Sequence, residues 1–273
     1  MEKKKKLFYY ILMFAYVAVI MYPMYLMIVT SLKPNADVFT NPFGLPKTLY
    51  FDNYVNMIAR SNYITYFRNS ILVVTVSLLV IVVFSSLASF VLAKHKFRGS
   101  AAIYAFFLIG LIIPIKLGTI SILKLMINLG LQDKLGSVIL VNIAMGIPFG
   151  IFILTDFIRS IPDELISAAR IDGCSETGIF VRIIMPLLRP AIAAVAVVNF
   201  IPVWNDFWFP LVLLKSDAVK TVPLATALLF GQYQTNYGNV FAVLTMASIP
   251  VVVMYLVFSK WFIKGMTEGS IKG

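Results

Sequence analysis

Six stretches of the chain are long, apolar and nearly free of charge: Leu7 to Leu32, Ile71 to Ala93, Ala101 to Leu123, Leu135 to Thr155, Ala191 to Leu214 and Tyr237 to Ser259. Only two carry an ionisable group well inside, Lys116 in the third and Asp206 in the fifth. About 20 apolar residues in a helix cross the hydrocarbon core of a bilayer. Each window therefore predicts a transmembrane helix, and the chain an all-α membrane protein with six spans. The first window resembles a signal peptide in following a basic run, Lys3 to Lys6. Its 26 uncharged residues exceed a secretory apolar segment of about 7 to 15, and a small-residue cleavage site is missing, so it stays as the first span.

Composition agrees with this pattern. Of 273 residues, 60% are apolar and 13% charged, against roughly 45–50% and 25% in soluble domains. A water-soluble fold is excluded. One cysteine, Cys174, forbids an internal disulfide, and with a single histidine, His95, no thiolate or imidazole zinc site is expected. The net charge of +11 matters through its placement. Six spans put both termini on one side, and with that side inside the cell, fourteen basic residues lie inside and seven outside. The inner set is Lys3 to Lys6, Lys94, Lys96, Arg98, Arg159, Arg170, Arg182, Arg189, Lys260, Lys264 and Lys272. Excess basic charge in short cytoplasmic loops makes both termini cytoplasmic.

Two connections exceed ordinary loop length. Residues 33–68, outside, carry Pro34, Pro42, Gly44 and Pro46 and then Phe51, Asp52, Asn53 and Tyr54, which predicts an ordered external cap. Residues 159–189 lie inside. The chain divides accordingly into an amino terminus and first helix (1–32), an external loop (33–68), a core of helices two to six (69–264) with the inner loop at 159–189, and a cytoplasmic tail (265–273).

The inner loop predicts two helices. Ser160 can cap the first, Pro162 fits a first turn, and Asp163 and Glu164 suit the positive end of the helix dipole. Leu165, Ala168 and Ala169 share one small, smooth face, and Gly173 is placed for a left-handed C-cap. Ser175 caps the second helix, with Glu176 in its first turn; Ile179, Phe180, Ile183 and Ile184 form an apolar knob, and Pro186 ends it. A helix pair of this kind suits a groove on another protein; the alternative is a knob folded back under its own membrane helices. Nucleic acid is not expected, because Asp163, Glu164, Asp172 and Glu176 offset the loop's four basic residues.

The run from Pro162-Asp163-Glu164-Leu165 through Ser167-Ala168-Ala169-Arg170 to Asp172-Gly173, followed by Phe180, Ile183 and Pro186, resembles the "EAA" loop of bacterial ATP-binding-cassette importer permeases. The likeness is to the carbohydrate branch typified by the maltose transporter. It extends to Ser31-Leu32-Lys33-Pro34, Asn69-Ser70, Phe97-Arg98-Gly99, Trp204-Asn205-Asp206-Phe207 and the tail from Gly265 to Gly273. Ser167 stands where the name-giving glutamate would be, so no salt bridge is carried over to that position. The resemblance implies a type I importer permease fold in a bacterial cell membrane. It implies a second related permease, two cytoplasmic ATPase subunits that hold ATP and magnesium, and an external sugar-binding protein. Coupling would fall to Glu164, Leu165, Ala168, Ala169, Asp172, Gly173, Phe180, Ile183 and Pro186, and the tail would reach between the ATPases or fray. The chain itself has no G-x-x-x-x-G-K-[S/T] loop, so no bound cofactor and no enzymatic activity are expected of it.

An ionisable group inside a span is costly and marks a candidate functional site. Counted from the inner surface, Lys116 and Asp206 each lie about 23 Å up a helix; whether they pair stays open. Asn199, Pro202 and Asp206 share a stripe of helix five, ringed by Trp204, Asn205, Phe207 and Trp208. Directional polar groups beside aromatics suit a sugar, so Asn199, Pro202, Trp204, Asn205, Asp206 and Lys116 are the candidate substrate pathway or gate. Trp204 and Trp208 also fit an outer aromatic belt. Pro114, Pro148 and Pro202 are candidate hinges. The function expected is ATP-driven import of a sugar or oligosaccharide. Alternatives are a polyol or glycerol-phosphate ester as cargo, or a secondary transporter, which would need paired broken helices that the sequence does not display. A membrane enzyme is disfavoured because His95 sits in a basic loop with no acid beside it.

Overall fold

The structure is a computed structural model that describes residues 2–59, 61–229 and 236–270, with side chains described from 5 to 259 outside those gaps. Among the described residues it is helical throughout, with no strand. The helices are α1 (Glu2–Ser31), α2 (Asn35–Thr40), α3 (Asp52–Ala59), α4 (Tyr63–Lys94), α5 (Ser100–Ile112), α6 (Thr119–Asn128) and α7 (Leu135–Arg159). They continue with α8 (Asp163–Ile171), α9 (Glu176–Ile179), α10 (Met185–Leu187), α11 (Arg189–Trp204), α12 (Trp208–Leu213), α13 (Val222–Leu228) and α14 (Tyr237–Ser270). Short 3-10 turns sit at Ile115–Gly118 and Asp217–Val219, and one π-helical turn at Phe180–Ile184. The tail expected at 265–273 lies outside the residues whose side chains are described.

Among the described residues four helices, within α1, α4, α7 and α14, are long and apolar enough to cross a membrane. The count rises to six if two bent pairs each make one span. The third window is one of these pairs: α5 meets the segment Ile115–Asn128 at 84°, and Pro114 sits in the break. The second pair corrects the expectation that Pro186 ends the inner-loop helix. The chain stays helical through Pro186, which occupies the first turn of α10, and bends by 72° between Leu187 and Arg189. At 1.5 Å per residue α5 rises only about 20 Å, short of a hydrocarbon core of about 30 Å, and continues past its bend into Ile115–Asn128, while α11 rises about 24 Å and is followed by α12. Two bends are thus present among the described residues, one at Pro114 and one where the inner loop meets α11.

The chain forms two compact units, one from Met1–Ile64 with Ala225–Pro250 and one from Thr65–Leu224 with Val251–Gly273. Residues 225–250 therefore group with the amino-terminal segment rather than with the rest of 69–264. In the first unit α1 is exposed along most of its apolar length, as a helix meant for lipid or a partner would be, and only its last turn, Val29, Thr30 and Ser31, is buried. The external segment is organised by buried polar groups. Lys33 is fully buried and donates to the carbonyls of Asn41 and Pro42 at 2.7 and 3.2 Å, just past the C-terminus of α2 where cations are favoured. Asn53 donates to the carbonyls of Ser31 and Lys33, both at 2.8 Å, tying α3 to the end of α1.

In the second unit α4, α7 and α11 pack around two apolar clusters. One joins Val73, Val138, Phe200, Trp204 and Phe209; the other joins Ile81, Leu154, Ile158, Ile179, Ile184 and Leu188. Since lipid tails are as apolar as leucine, small residues and inter-helix hydrogen bonds hold such bundles. Ser77, Ser85, Ser86 and Ser89 are all fully buried on α4. Ser85 and Ser89 donate to the α7 carbonyls of Ile147 and Ile151, each at 3.3 Å.

Candidate functional site

The inner loop is built from its caps outward. Ser160 does not cap α8; its hydroxyl donates to the Phe157 carbonyl at 2.8 Å and closes α7. The residue preceding α8 is Pro162 in extended conformation, so the proline lies just outside the helix rather than in its first turn. Ser175 does cap α9, its oxygen accepting from the Gly178 amide at 3.2 Å. At the far end of α8, Cys174 and Gly173 amides donate to Ala169 and Arg170 carbonyls at 2.9 and 3.1 Å, a Schellman closure with Gly173 at φ +79°.

The exposed face of α8 differs from the expected one. Leu165 and Ala168 face solvent, with Glu164 and Asp172 beside them, but Ala169 turns inward with Ile166, at 6% and 3% exposure. Ile171, absent from the sequence-derived set, is 87% exposed. The apolar knob folds back onto its own bundle: Ile179 and Ile184 are fully buried, and Phe180 and Ile183 pack against the same cluster. Phe180 meets Phe90 of α4 with ring centroids 5.5 Å apart. These side chains were expected to enter a partner, and the driving force that buries them is their own apolar area. Pro186 remains at the surface.

Three polar contacts fasten the loop to the end of α4. Lys94 donates to the Asp163 carboxylate and to the Ile161 carbonyl, each at 2.6 Å. His95 Nε2 lies 3.3 Å from Glu176, whose other oxygen accepts from Arg170 Nε at 2.7 Å. His95 therefore has an acid beside it, contrary to its setting in sequence. The Lys94 hydrogen bond holds the Asp163 carboxyl below the usual carboxylate range, and the Glu176 hydrogen bond raises Arg170 further. Nothing local in the sequence announces the Lys94–Asp163 or His95–Glu176 pairing, because each joins segments far apart in the chain.

At the other end of α11 a cavity of about 420 Å³ gathers five of the six candidate pathway residues: Asn199, Pro202, Asn205, Asp206 and Lys116. Val203, Phe207, Trp208, Phe209 and, from α7, Asn142, Met145 and Gly146 complete its walls. The sixth, Trp204, is not in it. Trp204 is 3% exposed, stacks on Phe200 at 6.0 Å and 5°, and meets Phe67 edge-on, so it belongs neither to the pathway nor to an aromatic belt. Lys116 and Asp206 share the cavity without an ion pair: the ammonium sits over the Trp208 ring at 5.9 Å. One Asp206 oxygen accepts from the Phe209 amide at 3.3 Å, and the other is buried with no hydrogen-bond partner. Asn142 could have been suspected as a lone amide in an apolar span; Met145 and Gly146 carry no signal of their own.

Residues 81–268 match the family model described as the binding-protein-dependent transport system inner membrane component. The chain belongs to this family of transport-system membrane components. Similar proteins include the arabinooligosaccharides transport system permease protein AraQ of Halalkalibacterium halodurans, 35% identical over 95% of this chain and 94% of that protein. The melibiose/raffinose/stachyose import permease protein MelC of Bacillus subtilis is 32% identical over 92% and 91%. A solved bacterial ABC transporter involved in the import of the acidic polysaccharide alginate shares the fold, with a TM-score of 0.81, 24% identity and coverage of 96% of this chain. The fold is that of an ABC importer permease, as the inner loop implied, and a permease of this family is a transporter component rather than a catalytic subunit.

Proposed function

We propose that this permease forms half of the translocation path of an ATP-driven importer of sugars or oligosaccharides. Its partners are a second, related permease, two cytoplasmic ATPase subunits and an external sugar-binding protein. The single observation that supports the coupling role is the solvent face of α8, where Glu164, Leu165, Ala168, Ile171 and Asp172 stand clear on a helix whose other face is buried. Such a helix gives a partner's groove apolar side chains flanked by acids, and its inner face passes force to α4 and α11. Ala169, Phe180 and Ile183 then act as the inner side of the lever rather than as contacts to the motor, and Gly173 closes it. ATP and magnesium belong to the motor subunits. The sugar reading draws support from relatives named for arabinooligosaccharides and for melibiose, raffinose and stachyose.

The test is co-expression of the chain with its neighbouring permease, ATPases and binding protein, followed by reconstitution in vesicles. Uptake of labelled arabinotriose, raffinose or maltotriose should require ATP and this chain, and Ile171→Asp should abolish uptake while the protein still reaches the membrane. Uptake that persists without ATP would refute the reading, as would full activity of the Ile171→Asp variant.

A further inference from the structure

The cavity at the end of α11 is built as a binding site. Three amides on its walls are locked in the same way: Asn142, Asn199 and Asn205 each donate one N–H to the carbonyl four residues back, at 3.1, 2.9 and 3.0 Å. Each amide's orientation is thereby fixed. Trp208 is pinned as well, its indole N–H donating to Thr119 at 2.9 Å. Asp206 is anchored by the Phe209 amide and keeps a second oxygen unsatisfied. A buried acceptor without a partner is costly, and its persistence calls for a donor. The backbone argues in the same direction. Pro114 stands in the 84° break that precedes Lys116, and the break after Trp204 precedes Asp206 to Trp208. Irregular backbone at membrane depth is tolerated where it is buried in protein or lines a polar cavity.

The chemistry of the walls selects the occupant. The walls offer partners of both kinds: acceptors from one carboxylate and three amide oxygens, and donors from the second N–H of each amide and the Lys116 ammonium. Such walls want a ligand rich in hydroxyls, which both donate and accept. An indole and the Phe207 ring offer apolar faces for C–H groups. We infer that the cavity is a solute subsite on this chain itself, taking a short stretch of a neutral, polyhydroxylated solute. The site rests on the sugar-import reading and deepens it: the permease recognises the cargo as well as moving it. About 420 Å³ lies at the small end of the roughly 300–1,000 Å³ typical of ligand sites, which suits one or two rings rather than a long chain. A solute carrying carboxylates would set its charge against Asp206 and is disfavoured.

The assembled transporter in lipid vesicles carries its own reporter chemistry, because Cys174 is the sole cysteine. With Cys174→Ser, Met145→Cys places a thiol on the cavity wall. Its modification by a water-soluble maleimide is followed with raffinose, arabinotriose or maltotriose added, and with a trimer of galacturonate. A neutral sugar that the transporter imports should slow modification at least about fivefold, and the galacturonate trimer should not. Asp206→Asn keeps an acceptor for the Phe209 amide and so retains the fold, yet should raise the half-protecting sugar concentration about tenfold, the difference between a hydrogen bond to a charged and to a neutral acceptor. Trp208→Leu should raise it too. Import of a neutral sugar without protection overturns the subsite while leaving the importer reading intact. So does protection that neither variant weakens, or equal protection by the galacturonate trimer. If none of the neutral sugars is imported or protects, both readings fall together.

Discussion

Two glycines in this chain are required for different physical reasons, and their substitutions should behave differently. At Gly173 the backbone lies at φ +79° with open space where a Cβ would point. A side chain there meets no neighbour; its cost is conformational, roughly 1–2 kcal/mol for a left-handed L-residue. Gly173→Asn should be tolerated and Gly173→Leu should loosen the Schellman closure, uncoupling ATP hydrolysis from uptake while membrane levels stay normal. Hydrolysis measured alongside uptake checks this. At Gly146 the backbone is ordinary helix, but a Cβ would lie 2.3 Å from Ile81 Cδ1 and 2.7 Å from Asn199 Oδ1. Gly146→Ala therefore overpacks the α4–α7–α11 contact, at about 1–3 kcal/mol, and should lower the melting temperature in detergent. The first glycine was legible in sequence because helix closure is a local rule. The second was not, since its neighbours come from two other helices. The same distinction explains Ala169 and Trp204: periodicity places a residue on a face, but only packing decides which face turns inward.

The α8–α9 segment moves with α4 if its polar fastenings hold, and these are unequal. Lys94 is nearly buried, with two partners, whereas the Asp163 side chain is 80% exposed. Lys94→Met leaves the Ile161 carbonyl without its donor as well as Asp163 without its cation; Asp163→Asn removes one exposed charge, and exposed pairs contribute little. Uptake per ATP hydrolysed should fall severalfold in Lys94→Met and barely in Asp163→Asn. The pH dependence follows from the Asp163 carboxyl, held below its ordinary range by Lys94. A group with a depressed folded pKa contributes its stabilisation above the unfolded value and loses it only as pH falls through the folded value. The Lys94–Asp163 fastening should thus stay constant from about pH 5 to 8 and fail only below about pH 4. A double-mutant cycle on thermal stability, repeated at each pH, measures this. At the scale of elements the sequence was legible in its windows and turns. The 72° bend was not, because a proline is compatible with both the end of a helix and its first turn.

For the whole molecule, the orientation in the membrane decides whether the α8 face can meet a cytoplasmic motor at all. The excess of basic residues, fourteen to seven, predicts the α8 loop inside and the loops carrying Lys47 and Lys215 outside. In the second unit α9 to α12 lie between Ile171 and Lys215, and α11 alone rises about 24 Å, most of a bilayer core. Ile171, Lys47 and Lys215 are all exposed, so each can carry a reporter cysteine in a Cys174→Ser background. In intact cells an impermeant maleimide should modify Lys47→Cys and Lys215→Cys and spare Ile171→Cys. In inverted vesicles the pattern should reverse. When the motor subunits are present, Ile171→Cys should also lose reactivity in those vesicles, because the apolar face that water reaches in the isolated chain would be covered. Modification of Ile171→Cys from outside would leave the α8 face with no access to ATPases, and reactivity indifferent to the motor would mean that another surface carries the stroke.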